Sequence, residues 1–188
     1  MKETIKPWIE RGYKVFAYGG PQDLKVEALS KDVGKNKSSF YHHFADTEVF
    51  VTMLLEEHLR QNYLIAEKEA QCESLEELID VIVEHRVDLL FSRQLRIHRE
   101  NKEFAQCFQK SNEITAEAIA GVWAASLGLT DQSYLAGLVL KLSLENFFLQ
   151  ITDETLNKKW LQNYFNEIKA LIAAFKSGVA IPKLDGSV

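Results

Sequence analysis

LKVEALSKDVGKNKSSFYHHFADTEVF, residues 24–50, decides how this chain is read. Val26, Leu29 and Val33 recur on one face of a short helix, with Asp23 placed to cap it. Gly34 follows at once, where a left-handed residue stops a helix without a steric cost. Asn36 then reads as the N-cap of a second short helix that turns Phe40 and Phe44 inward at an i, i+4 step. That leaves Lys37, Ser38, Ser39, Tyr41, His42 and His43 to cover the rest of the helix. Small, cationic and phenolic side chains at this density suit a helix that grips DNA phosphates and enters the major groove. The same residues would also serve as polar cover on a small helix packed against a bundle.

Outward from this stretch the pattern stays helical. Ile5, Trp8, Ile9, Tyr13 and Phe16 mark an amphipathic first helix, ended by Gly19-Gly20-Pro21. Asp46 caps a fourth helix that runs through Phe50, Met53 and Leu54 to about Ala70, and no flexible linker precedes it. Ser74 and Glu77 form a capping box that opens the helix LEELIDVIVEHRVDLLF. Another long helix covers Glu103 to Leu127 and stops near Gly128. Asp131 starts the next, SYLAGLVLKLSLENFFLQI, which is apolar on nearly every side and is expected to be buried all round. Lys158 to Lys176 carries a broad apolar stripe; Gly178 ends it, and VAIPKLDGSV reads as a mobile tail. The last two helices are more apolar than one small bundle needs, so a helix-on-helix interface with a second copy is expected.

Composition agrees with an all-α chain: 46% of the 188 residues are hydrophobic and only three are prolines. The net charge of -5 by itself argues against a nucleic-acid binder. Its distribution removes the objection. Residues 1–60 hold nine basic and nine acidic side chains, leaving 13 and 18 to residues 61–188. Cys72 and Cys107 lie far apart without CxxC spacing and read as reduced, half-buried thiols. No signal-peptide core or membrane-length apolar run occurs, so a cytoplasmic protein with no membrane partner is expected.

Other chemistry is thin. His85 and Asp88 lie one turn apart and His98 sits between Arg96 and Arg99, but no metal-ligand set, phosphate loop or nucleophile elbow is present. Arg93, Arg96, Arg99 and Lys102 read as a solvated or ion-paired helix face. No metal, no cofactor and no enzymatic activity are expected.

Leu29-Ser30, Gly34, KSSFYHHF and the acidic residue that follows resemble the DNA-binding headpiece of TetR-family transcriptional regulators. The detailed match covers residues 24–50; the plan of a small headpiece and a longer helical domain fits the whole chain. The resemblance implies a three-helix helix-turn-helix headpiece (residues 1–46) and a larger C-terminal helical bundle (residues 47–188) that dimerises through its last two helices. It implies a ligand-responsive repressor, a homodimer on a near-palindromic double-stranded DNA operator, with half-sites about 34–36 Å apart. The DNA-binding set would be Lys25, Lys35, Asn36, Lys37, Ser38, Ser39, Tyr41, His42, His43 and Thr47.

A cavity for an unknown small-molecule effector is implied among Phe91, Phe104, Phe108, Trp123, Asn146 and Phe147, with Asn146 the buried amide in need of a partner. Three positions depart from the family. Lys35 replaces an apolar residue, so either the turn packs differently or Lys35 faces out. Thr47 stands where lysine is usual, and Lys25 where Thr or Ser commonly touches the backbone. The alternative is a helical ligand- or partner-binding protein with weakened DNA binding.

Overall fold

The computed structural model describes residues 4–177, and every regular element in them is helical. In chain order these are α1 (Lys6–Gly19), a 3-10 turn (Pro21–Asp23), α2 (Val26–Val33), α3 (Lys37–Phe44) and α4 (Thr47–Glu69). There follow α5 (Leu75–Glu84), α6 (Arg86–Ile97), α7 (Lys102–Ser126), α8 (Ser133–Gln150) and α9 (Lys158–Ser177). The expectations for Gly178 and VAIPKLDGSV lie outside the described residues. No described helix is long and apolar enough to cross a membrane.

Several helix ends form as their residues dictate. The Asn36 side chain accepts the Ser39 N–H at 2.8 Å, and Asp46 accepts that of Val49 at 2.8 Å. Gly34 is left-handed (φ 68°, ψ 32°). Its N–H meets the Lys31 carbonyl while Lys35 N–H reaches back to Ser30 at 2.9 Å, a Schellman closure of α2. At Ser74 the capping box closes with one variation: Glu77 takes the N–H of Glu73 at 2.7 Å rather than that of the cap itself.

Four expectations are corrected. Asp23 does not cap α2: Pro21 starts a tight 3-10 turn that uses up Asp23, and extended Lys25 becomes the N-cap with no side-chain bond. Asp131 does not cap α8, since Gln132 takes that position. The stretch from Leu75 to Phe91 breaks at His85 (φ -98°, ψ 28°), where the ring pairs with Asp88 and Lys68. The break turns α5 toward α9 and α6 toward α1 and α7. Finally, α8 is not buried on all sides: Ala136, Leu140, Phe147 and Phe148 face the core, while Tyr134 is 85% and Leu142 64% exposed.

Two packing features position the N-terminal helices. The 23-residue α4 runs without interruption from them into the bundle. α1 lies on α6, where Phe91 stacks on Phe16 (centroids 4.2 Å apart) and Tyr13 (4.4 Å). α1 also approaches α4 so closely at Gly12 that a Cβ there would fall on the Phe50 ring.

Candidate nucleic-acid interface and bundle cavity

α3 presents two unlike faces. Phe40 and Phe44 are fully buried in an aromatic cluster with Trp8 of α1 and Phe50 of α4, all ring centroids within 4.8–6.4 Å. The other face is wet. Lys37, Ser38, Tyr41 and His42 are exposed, and Ser39 and His43 half-buried. Lys25, Lys35, Asn36 and Thr47 are exposed around it, at the start of α2, in the turn and at the start of α4. Lys35 therefore faces out.

Two details temper its positive charge. Lys37 is ion-paired with Glu27 of α2, and that bond holds the Glu27 carboxyl below its usual range. Asp46 and Glu48 place exposed carboxylates beside Thr47. Between α3 and α4, Ala45 takes a positive φ (54°, ψ -57°), with Asp46 N–H bonded to the Phe44 carbonyl, a strained γ-turn.

Inside the bundle lies a cavity of about 50 Å³, walled by residues from α4 to α9. A wider cleft of about 730 Å³ shares Asn112, Trp123, Leu140 and Leu144 with it. Trp123 lines both, Phe147 the cavity and Phe108 the cleft. The other three expected pocket residues do not line either space. Phe91 is sandwiched among Tyr13, Phe16 and His58, and Phe104 packs edge-on against Phe16, so both cement α1 to the bundle. Asn146 is exposed, because it stands on the outer side of α8, one position before the buried Phe147 and Phe148.

The structure adds residues that the first reading passed over. Glu69 lines the cavity at 4% exposure, and its Oε2 has no hydrogen-bond partner among the described residues. Burial pushes its carboxyl up to about 7. Beside it runs a buried chain of hydrogen bonds. Asn62 (3.1 Å) and Ser92 (3.0 Å), both cavity residues, meet His58 Nε2. His58 Nδ1 meets the Tyr13 hydroxyl at 2.6 Å, and Tyr13 donates to Asp88 Oδ1 at 2.7 Å. That pattern is satisfied by a neutral imidazole protonated on Nδ1. Burial holds it neutral, pulling its pKa down to about 3. Desolvation first, and Asp88 second, push the Tyr13 phenol well above its ordinary value.

The signal for these residues was present in α4. Leu54, Leu55, His58, Asn62, Ile65 and Glu69 are its buried residues below Phe50, at three- and four-residue steps. Polar residues on that stripe marked something to be satisfied inside.

Elsewhere, Arg96 pairs with Glu145 at 2.6 Å and lines the wider cleft with Arg99, while Arg93 keeps a buried Nε without a partner among the described residues. Cys107 is buried, its thiol pushed up to about 12 by desolvation, and Cys72 is half-buried; neither is in a disulfide. Among the described residues no group of three His, Cys, Asp or Glu could hold a metal ion.

These features define an all-helical protein with a polar helix displayed on an aromatic cluster and an apolar cavity in its bundle. No protein-family model matches the chain, and no curated protein or solved structure matches it.

Proposed function

We propose that the protein is a TetR-like transcriptional regulator: a homodimer that binds double-stranded DNA with α2–α3 as a helix-turn-helix and responds to a small molecule in its bundle. The observation that carries this reading is the division of α3. Two phenylalanines lock it to the aromatic cluster, while Ser38, Tyr41 and His42, with Lys37 in its exposed pair with Glu27, face outward to meet phosphates and base edges. The N-terminus of α3, where Asn36 already takes the Ser39 N–H, leaves the earlier backbone N–H groups of its first turn for a phosphate.

A second copy would cover Tyr134, Leu138, Leu142 and Leu149, an exposed stripe at four- and seven-residue steps on α8, with Leu171 and Phe175 on α9. Ligand occupancy would reach α1 through Asn62 and Ser92, because both bond the imidazole that bonds Tyr13. A ligand favouring one arrangement of this chain would release DNA by the difference in its affinity for the two.

Selection from a randomised duplex pool tests the reading. Enrichment of a near-palindromic site is expected, and Tyr41→Ala should weaken binding to it while leaving the thermal melt unchanged, since Tyr41 is 51% exposed. Recovery of no site, or an unfolded Tyr41→Ala, would contradict it. The Glu27–Lys37 pair and the carboxylates beside Thr47 favour one second reading, a ligand-binding helical protein with weakened DNA affinity.

A further inference from the structure

Several of the cavity's polar side chains are already engaged, although Asn112, Thr115 and Ser143 on its walls show no side-chain bond among the described residues. Tyr164 spends its hydroxyl proton on the Ser143 carbonyl (2.7 Å) and Ser111 on that of Cys107 (3.0 Å). Asn62 donates to His58, and the Ser92 hydroxyl is engaged with the same ring. Acceptor lone pairs remain on these side chains, and Glu69 adds a buried carboxyl with an unpartnered oxygen. The rest of the lining is largely apolar, with Leu78, Ile82 and Phe147 among it. Among the described residues, Glu69 is the only ionisable side chain on these walls besides the Tyr164 phenol.

We propose that the cavity binds a small apolar cation, an alkyl- or arylammonium, whose N–H donors and charge are received by Glu69 and whose hydrocarbon part lies against the apolar walls. A buried carboxylate without a partner is costly, and an ammonium supplies both the missing charge and up to three donors. A carboxylate ligand would meet like charge at Glu69. An alcohol would supply one donor and no charge. At about 50 Å³ the cavity itself takes the ammonium head and a carbon or two, and the rest of a longer chain would extend toward the adjoining cleft of about 730 Å³ that shares Asn112, Trp123, Leu140 and Leu144 with it. The proposal rests on reading the bundle as a ligand-responsive domain and names the chemistry of its ligand.

Calorimetric titration of the full chain at pH 8 with n-hexylammonium, n-hexanol and hexanoate tests it without DNA. The ammonium is expected to bind at least tenfold more tightly than the alcohol, and hexanoate not at all. Glu69→Gln should bring ammonium and alcohol to equal affinity. Equal binding of the probes by the wild type, a preference for hexanoate, no binding of any, or an unaltered preference in E69Q would each overturn the proposal. The comparison of probes on the wild type needs no variant, so a misfolded E69Q leaves it decisive. DNA affinity measured separately, with and without hexylammonium, keeps the two ideas apart. Amine binding that leaves DNA affinity unchanged would sink the regulatory reading and spare the ligand class; absent amine binding beside intact DNA binding would do the reverse.

Discussion

Glu27 and Ala45 are the residues whose local chemistry works against the activity and the fold they serve. Glu27 holds Lys37, the first side chain of α3, in an exposed ion pair, so the cation that should meet a phosphate is partly neutralised. Glu27→Gln is expected to tighten DNA binding several-fold and to steepen the dependence of log affinity on log salt by about one. An anisotropy titration at several salt concentrations reads both; an unchanged slope would mean that Lys37 does not touch DNA. Ala45 holds a conformation that L-residues rarely adopt. Ala45→Gly should raise stability by about 1 kcal/mol in denaturant unfolding, with the relief of strain exceeding the added flexibility of the unfolded chain. A loss of stability would show that the γ-turn is not strained.

At the scale of elements, α1 is the hinge between α3 and the bundle, clamped on α6 by stacked rings and on α4 at Gly12. Gly12→Ala should lower stability by about 1–2 kcal/mol, because the methyl displaces the fully buried Phe50 ring and outweighs the gain in helix propensity. An unchanged melting temperature would show that Phe50 yields freely.

Helix existence was legible wherever apolar spacing, a cap and a stop coincided, as from Asn36 to Phe44 and from Asp46 to Glu69. The breaks were less so. Nothing in the periodicity of LEELIDVIVEHRVDLLF announces a stop at His85, since the residue is neither Gly nor Pro and the break depends on its partners Lys68 and Asp88. The outward face of α3 was legible because Phe40 and Phe44 fix its orientation. The cavity was not. Asn146 looked buried because its neighbours Phe147 and Phe148 are, yet a helix one residue earlier points elsewhere. Glu69 was missed because a glutamate near a helix end reads as solvated until the neighbouring helices are in place.

Across the whole molecule, two buried groups set opposing responses to pH. His58 is neutral in the fold with its pKa lowered to about 3, so the unfolded chain binds the extra proton below about pH 6.5 and stability falls on acidification from there to about pH 3. Glu69 is raised to about 7; the folded state binds the extra proton between about pH 4.5 and 7, and stability rises as pH falls through that window. The two slopes nearly cancel between about pH 4.5 and 6.5. Below that range the His58 slope is unopposed, and carboxylates held low, such as Glu57 beside Arg60, add to it.

Wild-type stability should therefore be nearly flat from pH 6.5 to 4.5 and drop below. Glu69→Gln should instead lose roughly 2–3 kcal/mol across the same window. Parallel curves for the two proteins in urea unfolding would show that Glu69 is not buried as a neutral acid. Assembly belongs to the same scale: Leu142→Glu should leave a folded monomer in sedimentation, and a wild type that is already monomeric would remove the second copy from the scheme.

DNA binding as a function of salt bears most directly on the account. Wild type and Tyr41→Ala are titrated with a fluorescent duplex from 50 to 300 mM salt. If Lys25, Lys35 and Lys37, all exposed, meet phosphates as proposed, a dimer should show log affinity falling with log salt at a slope of about -4 or steeper, with Tyr41→Ala weaker throughout. No binding by the wild type at 50 mM salt, or a flat response, would contradict the assignment of α3 to DNA.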